Sequence, residues 1–170
     1  LKAIELCAEL NTFVPGRLLD DDGAMLIRYE GDAKGVLTAS QIAVGEENAL
    51  KIRIYGTKGG LEWCQEEPNT MWMKWPDRPR EMIRTSNGYM SEMAAHNSRT
   101  PGGHPEGYIE AFANIYRNFA LTLQAMKEGK EPSSLCLDFP SVQEGVRGMQ
   151  FIETVVASSN SDKKWVKMVD

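Results

Sequence analysis

The densest group of chemistry-bearing residues lies in Thr100 to Phe112, TPGGHPEGYIEAF, where one of only two histidines stands between a glycine pair and Pro105-Glu106. Proline suits the first position of a helix, so the spacing predicts His104 as the N-cap of the helix that follows. Its ring would sit beside free backbone N–H groups and the positive end of the helix dipole. A neutral imidazole so placed donates and accepts at once, which suits a hydroxyl. A histidine with only a capping task fits the same residues. Two other side chains carry a similar double reading. Arg17 is the lone cation of the polar loop Asn11 to Arg17, either solvated or reaching a ligand. Gln41 closes a strand before VGEEN, either satisfying backbone or meeting a polyol. Asp20-Asp21-Asp22 reads as an acidic turn before a strand, because it lacks the spaced oxygen ligands of a calcium loop.

Other chemistries are excluded by pattern. YGTKGGLEW places a lysine between glycines but lacks the order of a phosphate loop and its helix. No G-x-G-x-x-G follows a buried strand, so these residues hold no dinucleotide fold and no cofactor-binding residue. Two histidines without H-E-x-x-H argue against a zinc site, and no G-x-S-x-G elbow is present. A net charge of -5 without a basic stripe argues against nucleic acid and anionic membrane. The hydrophobic fraction of 42% contains no run near the roughly 20 apolar residues of a membrane span. The charges at Lys2, Glu5 and Glu9 break the apolar core of a signal peptide. Three scattered cysteines without a C-x-x-C fit a reducing, cytoplasmic setting. The chain opens on Leu1, and a start within a longer protein is expected.

These side chains need elements to hold them. The first half alternates with period two. AMLIRYE sends Met25, Ile27 and Tyr29 to one side, and KGVLTASQIA follows after a Gly31-Asp32 hairpin signal. ALKIRIYG, LEWCQE, TMWMKW and REMIRT continue the pattern, with positive φ expected at Lys58-Gly59 or Gly59-Gly60. The second half switches to helical period. Ile109, Phe112, Ala113, Tyr116, Phe119, Ala120 and Leu123 form one stripe ending near Gly129. Ser141 and Glu144 form a capping box ahead of the stripe Val142, Val146, Met149, Ile152, Val155 and Val156. Gly145 and Gly148 in that helix predict close approach to a neighbour. A short helix is expected around Met90 to Ala95 and a last strand in KKWVKMVD. Together these give an α+β fold, a single domain over 1–170: an open, predominantly antiparallel sheet with helices on one face. The other face, carrying Trp63 and Trp72, is expected to be an interface.

The runs DDDGAMLIRYE, YGTKGGLEW, GGHPEGYIEAFANIYRNFA and DFPSVQEGVRGMQFIETVV resemble the C-terminal domain of the Gfo/Idh/MocA oxidoreductases, the family of glucose-fructose oxidoreductase and inositol dehydrogenases. The resemblance covers nearly the whole chain. It implies a glyceraldehyde-3-phosphate dehydrogenase-like sheet domain that packs a neighbouring subunit, as a homo-oligomeric dimer or tetramer. It also implies an N-terminal Rossmann domain binding NAD or NADP, which these residues do not include. The family's Glu-Lys-Pro and Asp-x-Gly-x-His motifs are missing, and GKEP at Gly129 to Pro132 reverses the first, so no catalytic residue is implied. What carries over is GHPEGY near a sugar or polyol pocket, with His104 as substrate contact. The expected function is therefore the substrate-side and oligomerisation domain of an NAD(P)-dependent dehydrogenase, inactive alone. A non-catalytic scaffold module assembling through its sheet face is the competing expectation.

Overall fold

A computed structural model describes residues 1–169. In chain order the elements are β1 (Ala3–Asn11), β2 (Asp22–Tyr29), β3 (Lys34–Ser40), β4 (Lys51–Tyr55), β5 (Gly60–Cys64), β6 (Thr70–Lys74), β7 (Glu81–Arg84), α1 (Glu92–His96), α2 (Tyr108–Lys127), α3 (Val142–Ser159) and β8 (Val166–Lys167). The α+β class and the antiparallel pairing are as the alternation predicts. The expected single sheet is instead two sheets of four among the described residues. The division falls where residues 41–50 run as turns and irregular chain. The two sheets belong to separate compact units, one of Leu1–Gly45 with the chain from Ser141 onward, the other of Glu46–Pro140.

The first unit orders its strands β3-β2-β1-β8. Gly31 and Asp32 both take positive φ, 73° and 63°, and Tyr29 N–H donates to the Ala33 carbonyl at 2.9 Å to close the β2–β3 hairpin. Alternation on β2 turns Met25 and Ile27 inward, where they join Leu6 of β1 and Val155 of α3 as the buried core. β8 covers only Glu5 and Leu6 of β1. Beyond it the β1 edge would be bare, and α3 supplies the partners. Ala8 N–H donates to Ser158 Oγ at 3.0 Å and Leu10 N–H to Ser159 Oγ at 2.9 Å, while Thr154 Oγ1 accepts from Val169 N–H at 3.1 Å. An open edge is thereby closed by hydroxyls instead of a strand.

That use of polar residues corrects the expected α3 stripe. Of its members only Val155 is buried, and Val142, Val146, Met149, Ile152 and Val156 face outward. The inward face is Phe151, Thr154, Val155 and Ser158, at i, i+3, i+4 and i+7. Gly145 and Gly148 meet nothing within 4 Å of a built Cβ, so close approach does not explain them. The capping box is present: Ser141 N–H donates to Glu144 Oε2 at 2.7 Å and Glu144 N–H to Ser141 Oγ at 3.2 Å.

In the second unit β4, β5, β6 and β7 form an antiparallel meander. Register places Ile52, Ile54, Leu61, Trp63, Met71, Met73 and Ile83 on one face. Arg53, Glu62, Trp72 and Lys74 lie on the other, so Trp63 and Trp72 do not share a face as expected. Arg80 stacks over Trp72 at 4.1 Å, and Lys74 pairs with Glu62. In the β4–β5 turn neither Gly59 nor Gly60 takes positive φ. A Cβ on Gly59 would lie 2.7 Å from the Lys74 carbonyl oxygen, so contact, not φ, demands glycine. α2 ends as predicted, Gly129 at φ 68° following Glu128. Its buried face is again polar: Asn114, Asn118 and Thr122, with Ile109, Phe112, Tyr116, Phe119 and Leu123 exposed. Asn114 Nδ2 donates to the Asn97 carbonyl at 2.6 Å and Thr122 Oγ1 to the Cys136 carbonyl at 3.0 Å.

Replacing Ser158 by alanine leaves Ala8 N–H without its partner at a partly buried position. We expect a loss of about 1–3 kcal/mol in urea unfolding, whereas a variant within error of wild type would show that the hydroxyl does not close the edge.

Candidate functional site

His104 lies eight residues after the end of the short helix α1 and four before the start of α2. It does not cap α2: Gly107 is the N-cap, and Glu110 Oε2 accepts from Gly107 N–H at 2.9 Å. The Pro105 rule fails because Glu106 is drawn into other bonds that delay the helix. Glu106 Oε1 accepts from the N–H groups of Arg99 and Thr100, each at 2.7 Å, and lies 2.9 Å from Thr100 Oγ1. Asn69, in the turn between β5 and β6, holds the backbone of the same residue from both sides. Its Nδ2 donates to the Glu106 carbonyl at 2.7 Å and its Oδ1 accepts from Glu106 N–H at 3.2 Å. Thr85 Oγ1 adds a bond to Asn69 Oδ1 at 3.0 Å.

The result is a braced turn with His104 at its tip. Gly103 takes φ 85°, a conformation that favours glycine. His104 N–H donates to the Pro101 carbonyl at 3.1 Å, and its Nδ1 lies 3.2 Å from the same oxygen. The ring is exposed. With Nδ1–H given to a carbonyl, Nε2 is left as an outward acceptor, a group that takes a hydroxyl proton in a hydrogen bond. Partial burial raises the Glu106 carboxyl pKa. The N–H groups of Thr100 and Arg99, the Thr100 hydroxyl and the Arg99 charge outweigh it, holding the pKa below the usual range.

Arg17 and Gln41 come together in the other unit, at a corner organised by Asp21. Asp21 is 3% exposed, and its Oδ1 accepts from Phe13 N–H at 2.8 Å while Oδ2 accepts from Val14 N–H at 2.9 Å. Arg17 Nη1 reaches Asp21 Oδ2 at 3.4 Å, and Gln41 N–H donates to the Asp21 carbonyl at 2.8 Å. The bond from Phe13 is the leading cause that lowers the Asp21 pKa, against partial desolvation. Asp21 thus serves as the loop's anchor, the acidic-turn reading of the three aspartates. No group of three metal-ligating side chains gathers among the described residues. The three cysteines are free thiols. No helix of the described residues is long and apolar enough to cross a membrane.

Sequence reasoning missed Asn69, Glu106 and Asp21 as organisers. Asp21 and Glu106 had a legible signal, an acid amid loop residues. Asn69 had none, because its partners lie 16 and 37 positions away.

Residues 6–168 match the family model described as the oxidoreductase family, C-terminal alpha/beta domain. The Bacillus subtilis oxidoreductase YfiI is 31% identical over 168 residues, 98% of this chain and 43% of its own. Among solved structures, an oxidoreductase from Sinorhizobium meliloti is 41% identical with a TM-score of 0.91, over 98% of this chain and 46% of that one. An inositol dehydrogenase homolog from Azotobacter vinelandii, complexed with NADH and myo-inositol, is 31% identical with a TM-score of 0.89, over 98% and 44%. The chain spans less than half the length of each of these relatives.

The depressed Glu106 pKa carries a pH signature. Its stabilisation is complete above the ordinary glutamate value of about 4.3 and is lost as pH falls through the lower folded value. Glu106→Gln is expected to cost about 1–2 kcal/mol at neutral pH, and the gap to wild type in thermal melts should close toward pH 3. A gap independent of pH would contradict the charge's role.

Proposed function

The chain belongs to the Gfo/Idh/MocA oxidoreductases as their C-terminal alpha/beta domain, and from that premise we propose that it is the substrate-side and oligomerisation domain of an NAD(P)-dependent enzyme acting on a sugar or polyol by hydride transfer. The observation that carries this reading is the match, along nearly all of the chain, to an inositol dehydrogenase homolog that was solved with NADH and myo-inositol. The residues present do not fit a dinucleotide. Among the described residues both sheets are antiparallel, so no β-α-β crossover sets a helix N-terminus at a strand end where a pyrophosphate would rest. In this reading the nicotinamide cofactor and the proton-transfer groups belong to the enzyme's other domain.

This chain's share is binding and assembly. His104, at the tip of its braced turn, is the proposed substrate contact, a hydroxyl-binding imidazole. Arg17 and Gln41, anchored by Asp21, are the proposed contacts of the other unit; Arg17 keeps 43% of its side chain exposed and has donors to spare. The apolar face of β4 to β7, on which Ile52 and Ile54 are each about half exposed, is the proposed homo-oligomer surface, for a dimer or tetramer. The free thiols suit a cytoplasmic enzyme.

The 170-residue chain is expected to bind neither NAD⁺ nor NADP⁺ in calorimetry and to turn over no polyol; measurable affinity for either nucleotide would contradict the division of labour. Light scattering should return a mass of two or four chains, and a monomer at high concentration would contradict the proposed surface. In an enzyme of full family length, His104→Ala is expected to lower kcat/KM by roughly tenfold or more, the worth of about one hydrogen bond to substrate. Unchanged kinetics would leave His104 a structural residue.

A further inference from the structure

The second histidine sits at the end of a hydrogen-bond chain that fixes where its proton lies. His96 closes α1. Its Nε2 is 2.9 Å from Asn118 Oδ1 on α2, Asn118 Nδ2 is 3.1 Å from Asn97 Oδ1, and Asn97 Nδ2 is 2.9 Å from Asp138 Oδ2 and 3.2 Å from the Met93 carbonyl oxygen. A carboxylate and a carbonyl only accept, so Asn97 must turn its NH2 toward them and its oxygen toward Asn118. Asn118 is fully buried, and its amide must then donate to Asn97 and accept from His96. Nε2 therefore carries the hydrogen.

Arg117 Nη1 also lies 3.1 Å from Nε2, which by itself would make that nitrogen an acceptor. That arrangement would set two lone pairs against each other at Asn118. Rotating Asn118 moves the clash to Asn97, and rotating Asn97 moves it onto Asp138 and Met93. Each alternative sets an oxygen against an acceptor, inside the fold at Asn118 and nearer solvent at Asp138 and Met93. Arg117 Nη1 has another acceptor, the His96 carbonyl oxygen at 3.4 Å.

We propose that Asp138, Asn97 and Asn118 form a relay that holds His96 as the Nε2–H tautomer and makes its Nδ1 a fixed acceptor for an O–H or N–H donor. His96 is half-buried, and Nδ1 has no protein partner among the described residues. Ser86 Oγ is the one fully buried side-chain polar atom without a partner among the described residues, so Nδ1 is not sealed inside the fold. His104 takes the opposite form, Nδ1–H toward Pro101, so the two histidines present different ring nitrogens as acceptors. The inference rests on this chain's own contacts and is independent of the oxidoreductase reading.

Only two imidazoles occur in the sequence, so one long-range proton–nitrogen correlation spectrum of the uniformly ¹⁵N-labelled chain reads both. At about pH 8, above the ordinary histidine range, His96 should show a bare Nδ1 and a protonated Nε2, with His104 reversed. Asn97→Ala should return His96 to averaged tautomers, whereas Asp138→Asn, which keeps an accepting oxygen, should preserve the lock. A protonated Nδ1 at His96 in the wild-type chain would overturn the proposal, as would a lock unchanged by Asn97→Ala. The wild-type spectrum decides even if a variant does not fold.

Discussion

A buried N–H or C=O without a partner costs as much as a hydrogen bond gains, and both long helices of this chain are placed by that constraint. α3 lies where Ser158 and Ser159 can complete the edge of β1, and α2 lies where Asn114 and Thr122 can take up carbonyls after α1 and before α3. In each case a polar side chain stands in for missing backbone. Hydrophobic burial still builds the core of Leu6, Met25, Ile27 and Val155. In α3 the hydrogen bonds decide which helical face turns toward it.

That choice has a consequence for function. With the polar stripes turned inward, the apolar stripes of α2 and α3 face outward as two continuous rows. Rows of this kind mark surfaces that meet other protein. They add apolar surface to that of the β4 to β7 face, which suits a domain proposed to work in an assembly. The braced turn follows the same logic on a smaller scale: Asn69 and Glu106 satisfy backbone groups that a freer loop would leave to water, and His104 is held at the tip as a result.

Much of this was legible in the residues. Alternation marked β2 to β7, the Gly31-Asp32 hairpin and the Ser141 box were found in place, and GHPEGY carried the family resemblance. What escaped was which face of a helix is buried, because a period of 3.6 reports that a stripe exists and not what it meets. Gly59 shows the same limit: its need for close contact with the Lys74 carbonyl is set by a strand fifteen residues on. The His104 cap failed because Glu106 bonds to Arg99 and Thr100, a loop closure that no helix-start rule contains. Asn118 read as an ordinary helix residue, since only the fold brings Asn97 and His96 against it.

The claim that α3 hydroxyls complete the β1 edge is tested most directly by amide hydrogen exchange along that strand. The account predicts that Ala8 and Leu10, which face away from β2, exchange as slowly as their strand-paired neighbours Cys7 and Glu9. Exchange at Ala8 and Leu10 as fast as in an open edge strand, with Cys7 and Glu9 protected, would contradict it.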